Sequence, residues 1–224
     1  MRIAVVIPAL NEESQIASAV ASARAAGVAV EVVVVDGGSR DSTRERAREA
    51  GARVVSSDAG RARQLQAGVD ATDAPTILFL HADTRLPENA ADAIRLALEE
   101  PDVAGGAFGF AFEESGFGLR IVEWGVRIRV RLAALPYGDQ AIFARRSALA
   151  AAGGVPQVAL MEDLDLVLAL KRQGRLALLP QPARTSARRY LADGVARSVL
   201  RNTLALLARA VGVDRARIAR WYRR

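Results

Sequence analysis

Apolar runs and polar interruptions alternate along the first half of the chain with the rhythm of strands and helices. Ile3–Ile7 is a short apolar run that Pro8 is expected to end. Asn11, Glu12, Glu13 and Ser14 then supply capping groups for a helix with Ile16, Val20 and Ala23 on one face. Gly27 is placed to stop it. Val30–Val35 reads as a second strand running into Asp36-Gly-Gly-Ser39, and a second helix over about Ser42–Ala50 is stopped by Gly51 before a third strand at Val54–Val55. This order, βαβαβ, predicts a parallel sheet with right-handed crossovers.

A helix from Gly60, with Ala62, Leu65 and Val69 inward, leads to Ile77-Leu-Phe-Leu-His-Ala-Asp-Thr84. Four strand-forming residues run straight into a His and an Asp, as a buried parallel strand does when its carboxyl end carries chemistry. Ligands of open α/β sheets collect just beyond that edge. Asp83 is therefore a candidate ligand for a divalent metal; the competing reading makes it a cap for the following turn.

Past a helix predicted over Pro87–Glu100 the pattern changes. Gly105–Phe112 alternates Phe with small residues, a strand with Phe108, Phe110 and Phe112 on one side and room for a close approach on the other. Phe117–Leu135 is expected to be a surface helix with a basic face, an acceptor-site or membrane-facing helix being the sharper alternative, and Tyr137–Phe143 a polar loop entering a strand, with Asp139 and Gln140 at its mouth. Glu162, Asp163 and Asp165 open another helix. The helix dipole accounts for Asp165, whereas a carboxylate just before a helix and held by backbone donors suits a general base. A short strand over Leu176–Leu179 precedes Thr185-Ser-Ala-Arg-Arg-Tyr190. From Val195 an amphipathic helix carries Arg197 and Arg201 on one face and Leu204, Leu206, Leu207 and Val211 available to pack, and Asp214–Arg224 is a basic tail with Trp221 and Tyr222.

Composition narrows the function classes. At 224 residues the chain fits one large α/β domain or two small ones. It has no cysteine, which excludes disulfides, thiolate zinc sites and thiol catalysis. Residues 1–116 carry 11 Arg against 18 Asp and Glu, a net −7; residues 117–224 carry 20 Arg and Lys against 7 Asp and Glu, a net +13. The basic half could face nucleic acid, an anionic membrane surface or phosphorylated substrates. No signal peptide and no membrane span are expected. A cytoplasmic protein is expected, peripheral at the inner face of the cell membrane if the basic half binds lipid.

The first strand-to-helix turn, PALNEE, lacks the G-x-G-x-x-G of dinucleotide-binding units, so a dehydrogenase is not expected. Glu12 and Asp36 stand in that crevice, where carboxylates accept hydrogen bonds from a base edge or ribose hydroxyls. Capping is the preferred reading of Glu13, Ser39 and Asp41. Arg61 and Arg63 sit at a helix N-terminus, where a cation gains nothing from the dipole; an anionic ligand or Asp58 accounts for them better.

VVIPALNEE, VVVVDGGSRDST, FLHADT, GGVP followed by MEDLDL, and SARRY occur in order at plausible spacings. Together they resemble the family 2 glycosyltransferases, over nearly residues 1–190. The resemblance implies a GT-A fold, an α/β Rossmann-like sheet with a nucleotide-binding part (about 1–100) and an acceptor part (about 101–190), followed here by a basic C-terminal helical extension (191–224). It implies that Pro8, Ala9, Glu12 and Asp36 line the base and ribose and that Arg63 lies near the nucleotide. Asp83 matches the last Asp of D-x-D, which holds Mn²⁺ or Mg²⁺ on the diphosphate, and His81, the chain's one His, replaces the first Asp as a possible ligand. Asp163, with Glu162 before it, matches the base of the E-D motif, and Arg188 and Arg189 match a basic motif at the diphosphate. Asp139 and Gln140 are the further substrate-side candidates. The implied reaction is inverting transfer of one sugar from a UDP- or GDP-type nucleotide sugar to a hydroxyl or carboxyl acceptor. A lipid, polyprenyl or carotenoid acceptor stays open, the short HADT, YGDQ, MED arrangement being similar to a subgroup of carotenoid-ester glucosyltransferase-like proteins. A nucleic-acid partner is not expected. A haloacid-dehalogenase-type phosphatase would need an Asp at His81, and a nucleotidyltransferase a Gly- and Arg-rich first loop; a catalytically weak, membrane-associated nucleotide-sugar-binding protein is the non-enzyme alternative.

Overall fold

The computed structural model describes residues 1–222. In chain order its elements are β1 (Ile3–Ala9), α1 (Ile16–Ala25), β2 (Val30–Asp36), α2 (Thr43–Glu49), β3 (Arg53–Ser56), α3 (Arg61–Asp70), β4 (Thr76–Phe79), β5 (Thr84–Arg85) and α4 (Ala90–Ala97). They continue through β6 (Val103–Phe112), α5 (Phe117–Ala133), β7 (Phe143–Arg145), α6 (Arg146–Ala151), α7 (Glu162–Leu170), β8 (Arg175–Thr185), α8 (Arg188–Asp193), α9 (Val195–Ala210) and α10 (Arg215–Tyr222). Among the described residues the strands form one mixed, mostly parallel sheet in the order β3-β2-β1-β4-β7-β6-β8-β5. The last two residues of the expected basic tail, Arg223 and Arg224, lie outside the described residues; the rest of it is the α10 helix.

Strand periodicity sorts the core into two layers. Ile3, Val5, Ile7, Val32, Val34, Leu78 and Leu80 face α1, α2 and α4, which contribute Ile16, Val20, Ala47 and Ile94. Ala4, Val6, Val33, Val35, Ile77 and Phe79 face the opposite way, toward Leu65 and Val69 of α3 and Leu166, Val167 and Leu170 of α7. Each fully buried Val, Leu or Ile contributes roughly 1.5–3 kcal/mol, so both layers hold the sheet. The expected stop of α2 at Gly51 is a paired-bond cap: Gly51 N–H donates to Arg48 O at 2.8 Å and Ala52 N–H to Ala47 O at 3.0 Å, with Gly51 at φ 90°.

Three expectations change. Pro8 does not end β1, which runs on to Ala9. Val6 O accepts from Leu80 N–H on the β4 side, and residue 8 shares that orientation, but β4 pairs with β1 only through Val6, so the N–H that Pro8 lacks has no partner to lose. The strand expected over Leu176–Leu179 extends to Thr185, with Pro180 and Pro182 at a register shift against β6. Leu204, Leu207 and Val211 do not pack; α9 turns Ser198 and Ala205 inward and leaves these three exposed.

The close approach expected beside the glycines of β6 is made by neighbouring strands. A Cβ on Gly105 would lie 2.3 Å from Phe143 O, and one on Gly106 would lie 2.1 Å from Ala177 O, both backbone atoms of flanking strands. Phe108 packs edge-on against Phe143, while Phe110 and Phe112 join a separate cluster with Leu119, Ala187 and Tyr190 that seats α5, α8 and α9. Gly106→Ala is expected to cost about 3 kcal/mol of stability in urea unfolding. Gly125→Ala, on α5 with open space around it, should instead gain about 0.5–1 kcal/mol.

Candidate active site

The carboxyl ends of β1 and β2 are locked before any ligand arrives. Gln64, buried on α3, donates from Nε2 to Ala9 O and Val35 O, each at 2.8 Å. The loops that follow are sewn together: Ser39 Oγ accepts from Asn11 N–H at 2.9 Å, Thr43 Oγ1 from Glu12 N–H at 2.8 Å, and Asn11 Oδ1 from Arg40 N–H at 2.9 Å. Asp41 accepts from the N–H groups of Thr43 and Glu13, and Glu13 from Ser42 N–H. Glu13 and Asp41 thus accept from N–H groups at the start of α2, whereas Ser39 ties the two loops together; the N-cap residues of α1 and α2 make no side-chain capping bond. Asp36 is 1% exposed and its carboxylate accepts from Gly38 and Ser39 N–H at 3.1–3.2 Å. It shapes the turn beside Pro8 and Ala9.

Asp83 lies where β4 hands over to the two-residue β5. Its carbonyl accepts Ser186 N–H at 2.9 Å, and Thr84 and Thr185 share a hydroxyl hydrogen bond of 2.7 Å, so the end of β8 is pinned across it. That pairing delivers the next residues over the crevice. Arg188 ion-pairs with Glu12 and stands 3.9 Å from Asp83 Oδ2; Arg189 is 3.4 Å from both Glu12 Oε1 and Asp83 Oδ2. Glu12, expected at the ribose, is here the partner of both guanidinium groups.

The acceptor side closes from two further segments. The single 3₁₀ turn Gly138–Gln140 presents Asp139, and its Gly138 N–H donates to Asp163 Oδ2 at 2.8 Å. Asp163 Oδ1 accepts from Leu164 N–H at 2.8 Å, the backbone-held carboxylate at a helix start that base chemistry needs. Met161 just before it has φ 62° and Ala141 after the turn φ 48°, left-handed conformations that non-glycine residues rarely adopt, and both flank this site. Gln140 is buried. Its Nε2 donates to Phe108 O and its Oε1 accepts from Arg129, so it braces the turn, correcting its expected place at the loop mouth. Glu162 is also buried, with Arg61 Nε at 3.5 Å. Arg63, expected near the nucleotide, lies 3.8 Å from Asp58, with both side chains largely exposed.

Burial raises the Asp139 carboxyl to about 6; Arg129 opposes the rise, and the charges of Asp163 and Asp83 reinforce it. Its Oδ1 is buried without a hydrogen-bond partner among the described residues. Burial, and after it the guanidinium groups of Arg61 and Arg189, hold His81 well below the ordinary imidazole value, so it is neutral. A Cβ at Gly138 would lie 2.5 Å from His81 Nε2 and 3.3 Å from Asp163 Oδ2, so a larger residue here would have to displace the His81 ring.

No group of three or more His, Asp or Glu among the described residues forms a ready cage for an ion. The residues do fit an ion that shares its coordination with a diphosphate. Asp83 offers a buried carboxylate and His81 a neutral nitrogen, and hard cations such as Mg²⁺ complete their shells with phosphate oxygens and water.

Sequence reasoning missed Gln64, Thr185 and Asp165. Asp165, read as a dipole cap, is gripped by Arg209 at 2.6 Å and by Arg215, which tie the C-terminal helices to the first turn of α7. Its partners lie 44 and 50 residues on, and no local signal reports them.

The crevice lies beyond the carboxyl edge of the sheet, where open α/β folds bind their ligands. The model of glycosyl transferase family 2 matches residues 4–152, and the chain belongs to that family. Over 83 residues it is 40% identical to glycosyltransferase AglJ of Haloferax volcanii, covering 36% of this chain and 27% of that protein. Over 97 residues it is 36% identical to glucosyl-3-phosphoglycerate synthase of Mycolicibacterium smegmatis, covering 38% and 32%. The matched stretches thus span about a third of these relatives' length. The crystal structure of the Mycobacterium tuberculosis glucosyl-3-phosphoglycerate synthase with Mn²⁺, UDP and phosphoglyceric acid superposes with a TM-score of 0.65 at 24% identity, over 95% of this chain and 79% of that one. Its complex with UDP-glucose gives 0.61 at 23% identity, over 91% and 79%. These likenesses establish the GT-A-like fold.

An Asp held at about 6 against an ordinary 3.8 penalises the fold when it ionises. The penalty is absent below about pH 4 and complete above about pH 6. Asp139→Asn is therefore expected to raise the melting temperature at pH 7.5, by roughly 2 kcal/mol of stability, with the difference shrinking toward zero at pH 4. Equal effects at both pH values would refute the assignment.

Proposed function

We propose that this chain is an inverting glycosyltransferase that moves one sugar from a nucleotide-diphospho-sugar, UDP-type, to an acceptor hydroxyl or carboxyl group. The observation that carries the reading is the convergence of Asp83, Asp139 and Asp163 with Arg188 and Arg189 at the carboxyl edge of β1 and β4. Pro8, Ala9 and the sewn loops around Asp36 form the wall for base and ribose. Arg188 and Arg189, already resting on carboxylates, would turn to the diphosphate and stabilise the charge that grows as the bond to the anomeric carbon breaks. Asp83, with His81 beside it, would hold a divalent ion, which would supply Lewis-acid stabilisation to the same leaving group.

Asp163 takes the acceptor's proton as its oxygen attacks the anomeric carbon from the face opposite the leaving group. Gly138 N–H and Leu164 N–H keep its carboxylate in place. Asp139 walls this side and, with Arg129 behind it over the Tyr137 ring at 3.6 Å, keeps the turn rigid. The M. tuberculosis synthase was crystallised with UDP-glucose and with phosphoglyceric acid, which supports UDP-glucose as the first donor to try. None of the relatives described carries a carotenoid-ester name, and the acceptor here stays at the level of a hydroxyl or carboxyl group.

Asp163→Asn should lower the transfer rate by about 10²–10⁴-fold while UDP affinity holds within about twofold; retained activity would remove Asp163 as the base. Asp83→Ala should abolish the Mn²⁺-dependent part of UDP binding in calorimetry run with and without the metal. Unchanged affinity would count against Asp83 as a ligand. Wild-type binding of UDP-glucose with no transfer to any hydroxyl or carboxyl acceptor would favour the silent binding protein instead.

A further inference from the structure

A surface helix ordinarily has one apolar face, turned inward. α5 has two. Leu119 and Val126 are its buried side chains, while Phe117, Ile121, Trp124, Ile128 and Leu132 follow one another at spacings of four, three, four and four residues on the opposite side. Phe117, Trp124 and Leu132 are 84%, 63% and 82% exposed. A continuous outward row of this kind marks a surface that meets something apolar. Arg120, Arg127 and Arg131 run along one edge of the row, all exposed and without a carboxylate partner among the described residues. The helix's one acid, Glu123, is turned in to accept Phe112 N–H at 2.8 Å. α9 touches α5 where Val195 meets Gly118, and it too leaves Leu200, Leu204, Leu207 and Val211 exposed.

We propose that α5 is a membrane-docking helix that lies in the plane of an anionic lipid surface, its apolar row in the acyl boundary and its arginines on the headgroup phosphates. Charge selects this occupant over a second copy of the chain. A twofold interface would set the arginine row against its twin in an antiparallel pair and against an edge without a carboxylate in a parallel one, Glu123 being turned inward, whereas anionic headgroups neutralise the row. Docking is in-plane because no helix among the described residues is long and apolar enough to cross a membrane. The inference does not depend on the transferase reading, and its test uses neither donor nor acceptor.

The chain has two tryptophans, so in a Trp221→Phe background the emission reports Trp124 alone. Vesicles of phosphatidylcholine with phosphatidylglycerol should shift that emission to the blue and sediment the protein; vesicles of phosphatidylcholine alone should do so far less. Arg120→Ser, Arg127→Ser and Arg131→Ser combined should weaken binding to anionic vesicles about a hundredfold. Phe117→Ser with Leu132→Ser should remove the blue shift, with an unchanged melting temperature showing that the fold survives. Absence of wild-type sedimentation, or wild-type binding by the arginine variant, overturns the proposal. So does a dimer in light scattering that Phe117→Ser with Leu132→Ser turns to monomer, if vesicles bind neither form.

Discussion

Crowded carboxylates are the constraint under which this structure is built. Glu12, Asp83, Asp139 and Asp163 come from four separate segments to one sheet edge, and like charges at such range oppose the fold that gathers them. Arg188 and Arg189 relieve this by bridging Glu12 and Asp83, while burial, reinforced by the charges of Asp163 and Asp83, raises the affinity of Asp139 for its proton. The same balance readies the crevice for an anion. In the proposed reaction a diphosphate would replace one set of opposite-charge contacts by another.

The rigid surroundings follow from that need. Gln64 clamps the ends of β1 and β2, the threonine pair clamps β5 to β8, and Arg209 and Arg215 clamp the start of α7 through Asp165. Each clamp works on backbone or helix position and leaves Asp83 and Asp163 in the crevice. Left-handed residues at Met161 and Ala141 persist because those clamps overdetermine the local path.

How much could be read beforehand depended on range. β1 to β4 and their helices were legible because each apolar run ends in local punctuation, and Asp83, Asp163, Arg188 and Arg189 were legible as motif positions that the fold brings together or anchors. The two-residue β5 carries too few side chains to show a period, and β8 hides behind Pro180 and Pro182, which matter only once its partner strand is known. The role of Gln140 was misread because a polar residue in a loop pattern gave no sign of the Phe108 carbonyl waiting for it. The raised Asp139 carboxyl and the grip on Asp165 arise from burial and from partners far along the chain. The exposed leucines of α9 were misread for a related reason: amphipathicity shows that a helix has a face, but not which face the protein uses.

The threonine pair that joins β5 to β8 connects residues 101 positions apart. Loop closure over such a span is slow beside the local βαβ pairings of β1, β2 and β3, and chains with many distant contacts fold more slowly. The β1–β2–β3 edge can therefore form while the later segments are still being synthesised. Asp83 meets its arginines only when the last strand docks. A partly folded molecule in which β8 has not docked would hold Asp83 without the two guanidinium groups that stand beside it in the finished fold.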